Sequence, residues 1–565
     1  MLLRPALSFP ARRGILFIGF LTGALWAALL QYHPDTHRTI YLLALVSGFN
    51  SVLAFTVTRF RAIRPWLLAF SVLPFLALIT GWLRWNFSGY GAGDLTIRVG
   101  ATLFFWLFLL MPFLQVRAAG EKGAAAIIAA LWNNTFTLTA TALLTGLFWL
   151  FLLLWSQLFG LIAIQWFEQL FFDNVIFPPV ATALAIAAGI VLCRSLPAAG
   201  EVFRRFVTLL ASAALPAHAA ISLLFLAFLP FTGLAIIPRH LSAAALLITM
   251  SLIMAILTAI TRSTSARALS YPGWLAKLIV VAQCLTPLFA LLASYALWLR
   301  VARYGWTMDR INAAVVIALT LLWTLGIAGL LYRRALARSD TLSAVMLGLI
   351  ALLWLLLHTP LLDPYRITVN QQLSRLERGV KHADTNDLYL YSQAGRRGHQ
   401  LLLRLQKHPQ WLADPQHTRP ALAQLLADNR QRNPSTLTDA MLRTHIKERA
   451  GSPPLPESWW QSIVKNQRYL VKTCLAETSF CMAWMMDLNN DGNAEVLLYD
   501  RDQQKIQVFT RQRDSWQVRG HIAPADNDAE FDRSVQQGEL GTVEKPWRDL
   551  LLNGKRYPVE YYGTD

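Results

Sequence analysis

Residues 146–159 read Gly-Leu-Phe-Trp-Leu-Phe-Leu-Leu-Leu-Trp-Ser-Gln-Leu-Phe and contain no charged side chain. This run lies inside a longer apolar stretch, residues 136–163. A helix needs about 20 such residues to cross the hydrocarbon core of a bilayer. No water is available there to satisfy backbone polar groups, so a spanning stretch has to be helical. The sequence therefore predicts a transmembrane helix at this position.

Other stretches along the chain have the same character. Hydrophobic residues make up 55% of the 565 residues and charged residues only 15%, a balance at which a soluble protein would aggregate. We therefore predict an all-α polytopic transmembrane bundle. About eleven spans are expected, near residues 14–31, 40–58, 65–83, 99–116, 136–163, 176–193, 214–237, 241–261, 274–299, 311–332 and 341–359.

The formal charge of +18 is concentrated in the membrane half of the chain. Residues 1–360 hold 24 Lys and Arg against 8 Asp and Glu, whereas residues 361–565 hold 27 against 25. The excess lies between apolar segments, where cytoplasmic loops collect Lys and Arg, and not on a soluble basic face. The lipid bilayer is the expected partner, and nucleic-acid binding is not expected.

The distribution of basic residues between the spans also predicts the orientation. With the N-terminus inside, inner segments carry 17 Lys and Arg and outer segments carry 7. This bias favours a cytoplasmic N-terminus. An odd number of spans then places everything after Pro360 outside, in the periplasm of a bacterium whose inner (plasma) membrane holds the bundle.

Three segments resemble a polytopic bacterial membrane family catalogued as domain of unknown function 4153. They are residues 146–159, Tyr295–Ile311 with its Tyr-Gly-Trp-Thr turn, and Asp363–Gly379 after the last span. The resemblance implies an inner-membrane location and a many-helix bundle. It implies no activity and no catalytic residues.

Basic residues of an outer loop form one candidate ligand site. Residues 363–379 read as a proline-started amphipathic helix that anchors the outer domain at the headgroup level. The sharper alternative is contact with an anionic lipid or ligand, made by Arg300, Arg303, Arg310 and Arg366.

After the membrane part we expect a smaller α+β extracytoplasmic domain containing an antiparallel β meander. The expected divisions are residues 1–360 for the bundle, 361–450 for an amphipathic and helical segment, 451–458 for a linker and 459–565 for the β domain. The linker, Gly-Ser-Pro-Pro-Leu-Pro at its start, cannot continue a helix.

Short β-type runs alternate with turns in the last of these divisions. The runs are Arg468–Cys474, Cys481–Met486, Ala494–Asp500, Lys505–Arg511 and Trp516–His521. Asn553-Gly554 is a further signal, for a hairpin.

A helix is expected in the segment before the linker. Ser435 caps it, and it is expected to continue through residue 449.

An acidic loop in the β domain is a candidate calcium site. It resembles the calcium loops of integrin-type propeller repeats, although Leu498 stands where an EF-hand requires Glu. The alternative is a hairpin turn around Asp491-Gly492 without an ion. The candidate ligands are Asp487, Asn489, Asp491, Asn493 and Glu495.

The four cysteines divide into two pairs by location. Cys193 and Cys284 lie in spans and are expected to pack as small apolar side chains. Cys474 and Cys481 are separated by six residues. We expect a disulfide between them if the compartment is oxidising.

No phosphate loop, nucleophile elbow or metalloprotease helix occurs in the sequence. The leading hypothesis is therefore a non-enzymatic membrane protein whose periplasmic domain binds an envelope partner in assembly, sensing or support. The alternative is a transporter or channel for a lipid-like or hydrophobic substrate. The third is a membrane transferase on lipid-linked substrates, using the outer-loop acids Asp35, Asp94, Glu168 and Asp173.

Overall fold

A computed structural model gives the architecture of the chain as two compact units. The first comprises Met1–Ser88, Ala92–Val380 and Gly395–Arg397; the second comprises Gly89–Gly91, Lys381–Ala394 and Gly398–Asp565. The residues described are 7–32, 36–90, 95–160, 164, 166–232, 242–263, 270–414, 418–423, 425–426, 439–449, 451–466, 471, 474, 480–489, 491–501, 505–512, 515–522, 531, 533–535, 541–543, 549–552, 555–557 and 559–561.

The first unit is the predicted helical membrane bundle. Among the described residues, eleven helices are long and apolar enough to cross a bilayer. They are α1 (Phe9–Tyr32), α2 (Thr36–Thr56), α3 (Ile63–Phe87), α4 (Leu95–Ala119), α5 (Ala124–Gly160), α6 (Phe177–Ser195), α7 (Pro197–Thr232), α8 (Ala243–Arg262), α9 (Gly273–Tyr304), α10 (Met308–Tyr332) and α11 (Ser339–Leu357). Helix α12 (Pro364–Glu377) follows them in the first unit, whereas α13 (Thr385–Ser392) and most of α14 (Gly395–Lys407) belong to the second unit.

Small residues let α1 approach α6 closely. A Cβ added to Gly19 would lie 2.4 Å from the Ala187 Cβ, and one added to Gly23 would lie 2.5 Å from the Val180 Cα. Lipid tails are as apolar as the helix surfaces, so close packing of this kind, and not apolar burial, holds such helices together.

Polar side chains add hydrogen bonds between the helices. Asn50 Nδ2 donates to Thr22 Oγ1 at 2.7 Å, and Gln283 Nε2 donates to Thr258 Oγ1 at 2.8 Å. His218 Nε2 lies 3.0 Å from the Met250 carbonyl oxygen. Each such bond contributes on the order of 1 kcal/mol. Because the bond of His218 joins α7 to α8, we interpret His218 as a residue that stabilises the packing of these two helices.

The second unit contains helices α15 (Asp439–His445) and α16 (Glu457–Asn466) and a six-stranded sheet of order β1-β2-β3-β4-β5-β9. A three-stranded sheet is formed by β6, β7 and β8. The strands are β1 (Ile446–Glu448), β2 (Cys481–Met486), β3 (Glu495–Asp500), β4 (Lys505–Gln512), β5 (Ser515–Ile522), β6 (Gly541–Val543), β7 (Asp549–Leu552), β8 (Lys555–Tyr557) and β9 (Val559–Tyr561).

Strands β2 to β5 form the expected antiparallel meander. The pairing of Leu552 with Lys555 brackets the expected hairpin, whose Asn553 and Gly554 lie outside the described residues. Val471 and Cys474 are in 3-10 conformation, so the expected strand does not include them; the other residues from Arg468 to Thr473 are not described.

Strand β1 was not expected, because the sequence suggested helix through residue 449. The helix ends at His445, and Ile446–Glu448 pairs with Cys481–Ala483 in parallel. A three-residue strand whose partner lies 35 positions away leaves no local pattern, which is why the helix prediction was wrong there.

Both faces of the sheet are covered within the second unit. One face packs Val496, Leu498 and Phe509 against Trp459 and Trp460 of α16. On the other face Trp484, Leu497, Tyr499 and Val508 pack with Phe531 and Val535. Strand β3 is buried along all six residues, as in sheets covered on both sides.

Candidate functional site

Three of the four arginines proposed as ligand contacts lie beside the turn between α9 and α10: Arg300 and Arg303 near the end of α9, and Arg310 near the start of α10. Arg300 Nη1 donates to Ser242 Oγ at 3.1 Å, and Arg310 Nη1 donates to the Gly305 carbonyl oxygen at 2.6 Å. The guanidinium carbons of Arg303 and Arg310 lie 5.3 and 5.5 Å from the centre of the Tyr304 ring. The structure thus brings Arg303 and Arg310 to one aromatic ring, and each arginine named here also contacts protein groups.

Side chains of helix α12 hydrogen-bond to the backbone of this turn. The Trp306 N–H donates to Gln371 Oε1 at 2.6 Å, and Gln372 Nε2 donates to the Trp306 carbonyl oxygen at 2.9 Å. Arg375 Nη2 donates to the Arg303 carbonyl oxygen at 2.8 Å. Arg366, the fourth proposed arginine, is exposed on the same helix. The helix after the last span therefore serves as a structural clamp on the loop.

Asp363 begins that clamp helix and is almost wholly buried. Its Oδ1 accepts from the Tyr365 N–H at 3.0 Å and so caps α12. Its Oδ2 lies 3.0 Å from Arg397 Nε. Burial raises the pKa of the carboxyl, and the nearby Arg397 offsets only part of that effect.

The acidic loop between β2 and β3 is a compact turn in which carboxylates accept backbone N–H groups. Asp487 Oδ2 accepts from the Gly492 N–H at 3.0 Å, and Asp491 Oδ1 accepts from the Asn493 N–H at 2.7 Å. Asn489 Nδ2 donates to Asp491 Oδ2 at 2.9 Å. Gly492 has φ +85°, the left-handed conformation that the turn requires.

Glu495 closes this loop from β3. It is 3% exposed, and its Oε2 accepts from the Leu488 N–H at 2.8 Å. Burial first, and then the charges of Asp491 and Asp487, raise the pKa of Glu495 to about 7. The loop therefore concentrates negative charge around one buried carboxyl.

The oxygens of the loop are of the kind that calcium takes, but among the described residues the carboxylates of Asp487, Asp491 and Glu495 are not gathered within 4.8 Å of one another. Carboxylate and amide oxygens are the ligands that Ca²⁺ takes, and each oxygen that accepts an N–H keeps a second lone pair. A cation at the loop would also relieve the repulsion that raises the Glu495 pKa. If the ion binds, Asp487, Asn489, Asp491, Asn493 and Glu495 would hold it.

The structure contains the expected disulfide between Cys474 and Cys481. Its sulfur atoms also lie within 4.8 Å of an Asp500 carboxylate oxygen. Among the described residues, these three are the one group of His, Cys, Asp or Glu side chains whose ligand atoms lie that close together. Sulfurs joined in a disulfide have no thiolate to offer a metal. The disulfide therefore joins Cys481, the first residue of β2, covalently to Cys474.

The acids assigned to the transferase hypothesis are not assembled by the described structure. Asp35 and Asp94 lie outside the described residues, as does the side chain of Asp173, and Glu168 is exposed.

A polar cleft in the first unit, which sequence reasoning missed, has a volume of about 250 Å³. At its base Gln115 Nε2 donates to the Phe55 carbonyl oxygen at 3.1 Å and to Asn134 Oδ1 at 2.8 Å. Arg194 lines the same cleft and donates to the Val57 carbonyl oxygen at 2.9 Å. A signal was present in the sequence, since a short loop joins the two helices that carry Gln115 and Asn134 and makes them neighbours.

Two family models match separate parts of the chain. A family model described as "Domain of unknown function (DUF4153)" matches residues 42–398. A second, described as "Domain of unknown function (DUF7057)", matches residues 440–547. No curated protein and no solved structure matched the chain.

Proposed function

The chain belongs to the DUF4153 family, and from that premise we propose that it is a non-enzymatic protein of the bacterial inner membrane whose second unit lies in the periplasm and binds an envelope protein. The family and the eleven apolar helices make it an integral membrane protein. The role proposed for the second unit is assembly, sensing or support.

The observation that carries this proposal is the Cys474–Cys481 disulfide in the second unit. Disulfides persist in oxidising compartments such as the periplasm and are rare in the cytosol. An odd number of candidate spans, eleven among the described residues, supports opposite sides of the membrane for the two ends of the chain. The excess of basic residues in the inner segments supports a cytoplasmic N-terminus.

Side chains fill the interior of the second unit, which favours binding of a partner on its surface and not binding of a substrate inside it. Side chains of the unit itself occupy both faces of the large sheet. Within the described residues β1 and β9 are the edge strands of that sheet, and Lys447 and Glu448 of β1 are exposed. A partner could add a strand at this edge, with backbone hydrogen bonds providing affinity.

The location is tested with reporters fused after Asp565. Alkaline phosphatase should be active there and a fluorescent protein should be dark. The reverse pattern would contradict the periplasmic assignment.

The binding role is tested by a photo-crosslinking amino acid placed at Lys447 on the β1 edge. We expect one discrete adduct, identified by mass spectrometry, that is absent when the same group replaces the exposed Lys407 on α14. Identical products at both positions, or none at Lys447, would contradict binding at this edge.

A second candidate function, a transporter for a lipid-like substrate, is favoured by the polar cleft among α2, α4, α5, α6 and α7. Its test is lipid movement between leaflets in liposomes that contain the purified protein. Movement no faster than in protein-free liposomes would contradict it.

A further inference from the structure

The polar cleft lies where several helices of the first unit end. Helix α2 ends at Thr56, α4 ends at Ala119 and α6 ends at Ser195, while α5 and α7 begin at Ala124 and Pro197. Helix α5 has 37 residues, or about 55 Å at 1.5 Å per residue, well beyond the roughly 30 Å of hydrocarbon. The cleft is therefore at the level of lipid headgroups and not at the bilayer centre.

The lining of the cleft includes the side chain of Glu121. This residue is half-buried in the loop between α4 and α5. Within the described part of the chain, its carboxylate takes part in no hydrogen bond or ion pair. Glu201, an acid at the same end of the bundle, differs because it pairs with Arg205 at 3.1 Å. The Glu121 carboxylate is therefore open to a ligand in the cleft.

The space over Gly200 also belongs to the cleft. A Cβ added to Gly200 would lie 3.4 Å from Asn133 Oδ1 and 3.5 Å from Phe136 Cδ1. The Asn133 side chain is exposed and has no hydrogen-bond partner among the residues that the structure describes. A carboxylate and an exposed amide supply acceptor oxygens to one cavity, which suits a primary ammonium with its three N–H groups.

Positive charge lines the same cleft. Arg194 donates to the Ala54 and Val57 carbonyl oxygens, which fix the position of its guanidinium. The first turn of α7, which contributes Pro197 and Gly200 to the lining, adds the partial positive charge of a helix N-terminus. A carboxylate and a guanidinium in one lining match the two charges of a zwitterion.

Apolar side chains complete the lining and distinguish a lipid from a soluble zwitterion. They are Leu7, Phe55, Phe136 and Leu196. Leu196, between α6 and α7, is 49% exposed. A lipid can cover such a surface with its glycerol and first acyl carbons and gains free energy by doing so, whereas a free headgroup cannot.

We propose that this cleft binds the headgroup of a zwitterionic phospholipid, with a primary ammonium at Glu121 and Asn133 and the phosphate at Arg194. The ammonium donates charge-assisted hydrogen bonds to the carboxylate, and the phosphate accepts them from the guanidinium. The acyl end of the lipid packs on Leu196. This is a binding site alone, which requires neither movement of lipid nor a partner of the second unit.

The test compares two lipids that differ only at the headgroup nitrogen. Phosphatidylethanolamine and phosphatidylcholine with the same acyl chains share the phosphate and have no net charge, but the choline nitrogen carries no N–H. The full-length protein is delipidated in a non-ionic detergent, and lipid binding is measured by native mass spectrometry. We expect phosphatidylethanolamine to bind about tenfold more tightly, because phosphatidylcholine can donate no hydrogen bond to Glu121.

Isosteric variants link this preference to the carboxylate. Glu121→Gln keeps the shape of the side chain, removes its charge and should lose most of the preference. Glu201→Gln is the matched control, because Glu201 lies at the same end of the bundle and outside the cleft lining, and this variant should keep the preference.

A third variant leaves Glu121 intact and fills the cavity. Gly200→Leu should weaken the binding of both lipids. Gly146→Leu, at a glycine of α5 with nothing within 4 Å of an added Cβ and outside the lining, should not. Glycerophosphoethanolamine, the free headgroup, should bind far more weakly than the lipid.

Four results would overturn the proposal. Equal affinity for the two lipids would remove the ammonium, and a preference that survives in Glu121→Gln would remove Glu121 as its acceptor. Unchanged binding in Gly200→Leu would place the lipid outside the cleft. Binding of glycerophosphoethanolamine as tight as that of the lipid would make the ligand a soluble zwitterion.

Discussion

The Asp363 carboxylate and the Arg397 guanidinium form an ion pair, with Oδ2 and Nε 3.0 Å apart, in which the carboxylate is 1% exposed. Asp363 has a second task, because it caps α12 through its other oxygen. Loss of a cap costs about 1 kcal/mol. Burial of the charge is itself unfavourable, as the raised pKa of the carboxyl shows.

These two tasks can be separated by substitution. Asp363→Asn keeps a capping oxygen and removes the buried charge, whereas Asp363→Ala removes both. We expect Asp363→Ala to lower the free energy of unfolding by about 1–2 kcal/mol more than Asp363→Asn. Thermal unfolding followed by tryptophan fluorescence measures the difference. Equal losses would show that the ion pair, and not the cap, dominates.

The turn between α9 and α10 depends on Gly305. This residue has φ +78°, and a Cβ added to it would lie 2.6 Å from Gln371 Oε1. Gly379 has φ +67° and nothing within 4 Å of an added Cβ, so it controls for backbone strain alone. Strain at positive φ costs about 1–2 kcal/mol. We expect Gly305→Ala to lower the melting temperature clearly more than Gly379→Ala. Equal effects would mean that Gln371 of α12 moves aside without loss of stability.

The disulfide should stabilise the second unit. Closing a loop of this length removes unfolded-state entropy worth about 2–3 kcal/mol in the chain-entropy account. We expect Cys474→Ser with Cys481→Ser to lower the unfolding temperature of the second unit in the full chain, and a reductant to do the same to the wild type. Replacing Cys193 and Cys284, which are free, should leave the response to reductant unchanged.

Glu495 should make stability depend on pH when calcium is removed by a chelator. Its pKa is about 7 in the folded chain, against an ordinary 4.5. A pKa raised by folding gives stability that is complete below the unfolded value and is lost as pH rises through the folded value. We therefore expect the second unit to melt lower at pH 8 than at pH 5, and Glu495→Gln to reduce that difference. A wild-type slope unchanged in the variant would assign the pH dependence to another group.

Calcium should stabilise the same loop more strongly as pH rises, whereas ionisation of Glu495 without calcium should destabilise it. Ca²⁺ takes ionised carboxylates, so millimolar Ca²⁺ should raise the melting temperature more at pH 7.5 than at pH 5.5. Asp487→Ala and Asp491→Ala should abolish the rise. Glu457→Gln, at an exposed acid paired with Arg443, should not. A melting temperature indifferent to Ca²⁺ in the oxidised protein would leave a hairpin turn without an ion.

Local patterns predicted much of this fold. Strand β2 has the bounds expected from its sequence, Cys481–Met486, because turn residues and a half-cystine bracket a short apolar run. The spans were predictable for a similar reason, since the bilayer imposes a length and a composition on each helix independently of its neighbours.

Contacts between distant segments were not predictable. The short loop between their helices makes Gln115 and Asn134 neighbours, but periodicity does not show which faces of two apolar helices meet, so the bond between the two amides could not be predicted. The hold of Gln371 and Gln372 on the Trp306 backbone likewise joins positions 65 and 66 residues apart. Such pairs depend on the packing of whole helices, which no local window contains.

The parallel pairing of β1 with β2 determines where the second unit can be cut from the rest of the chain. Leu442 and Ile446 belong to the same buried cluster as Trp459 and Trp460. A fragment that starts after the proline-rich segment 451–458 would lose both of these aliphatic side chains and would leave Cys481–Ala483 without a neighbouring strand. An unpaired edge of this kind is a template for intermolecular pairing, so that fragment would precipitate. A soluble fragment has to begin no later than Asp439, at the start of α15.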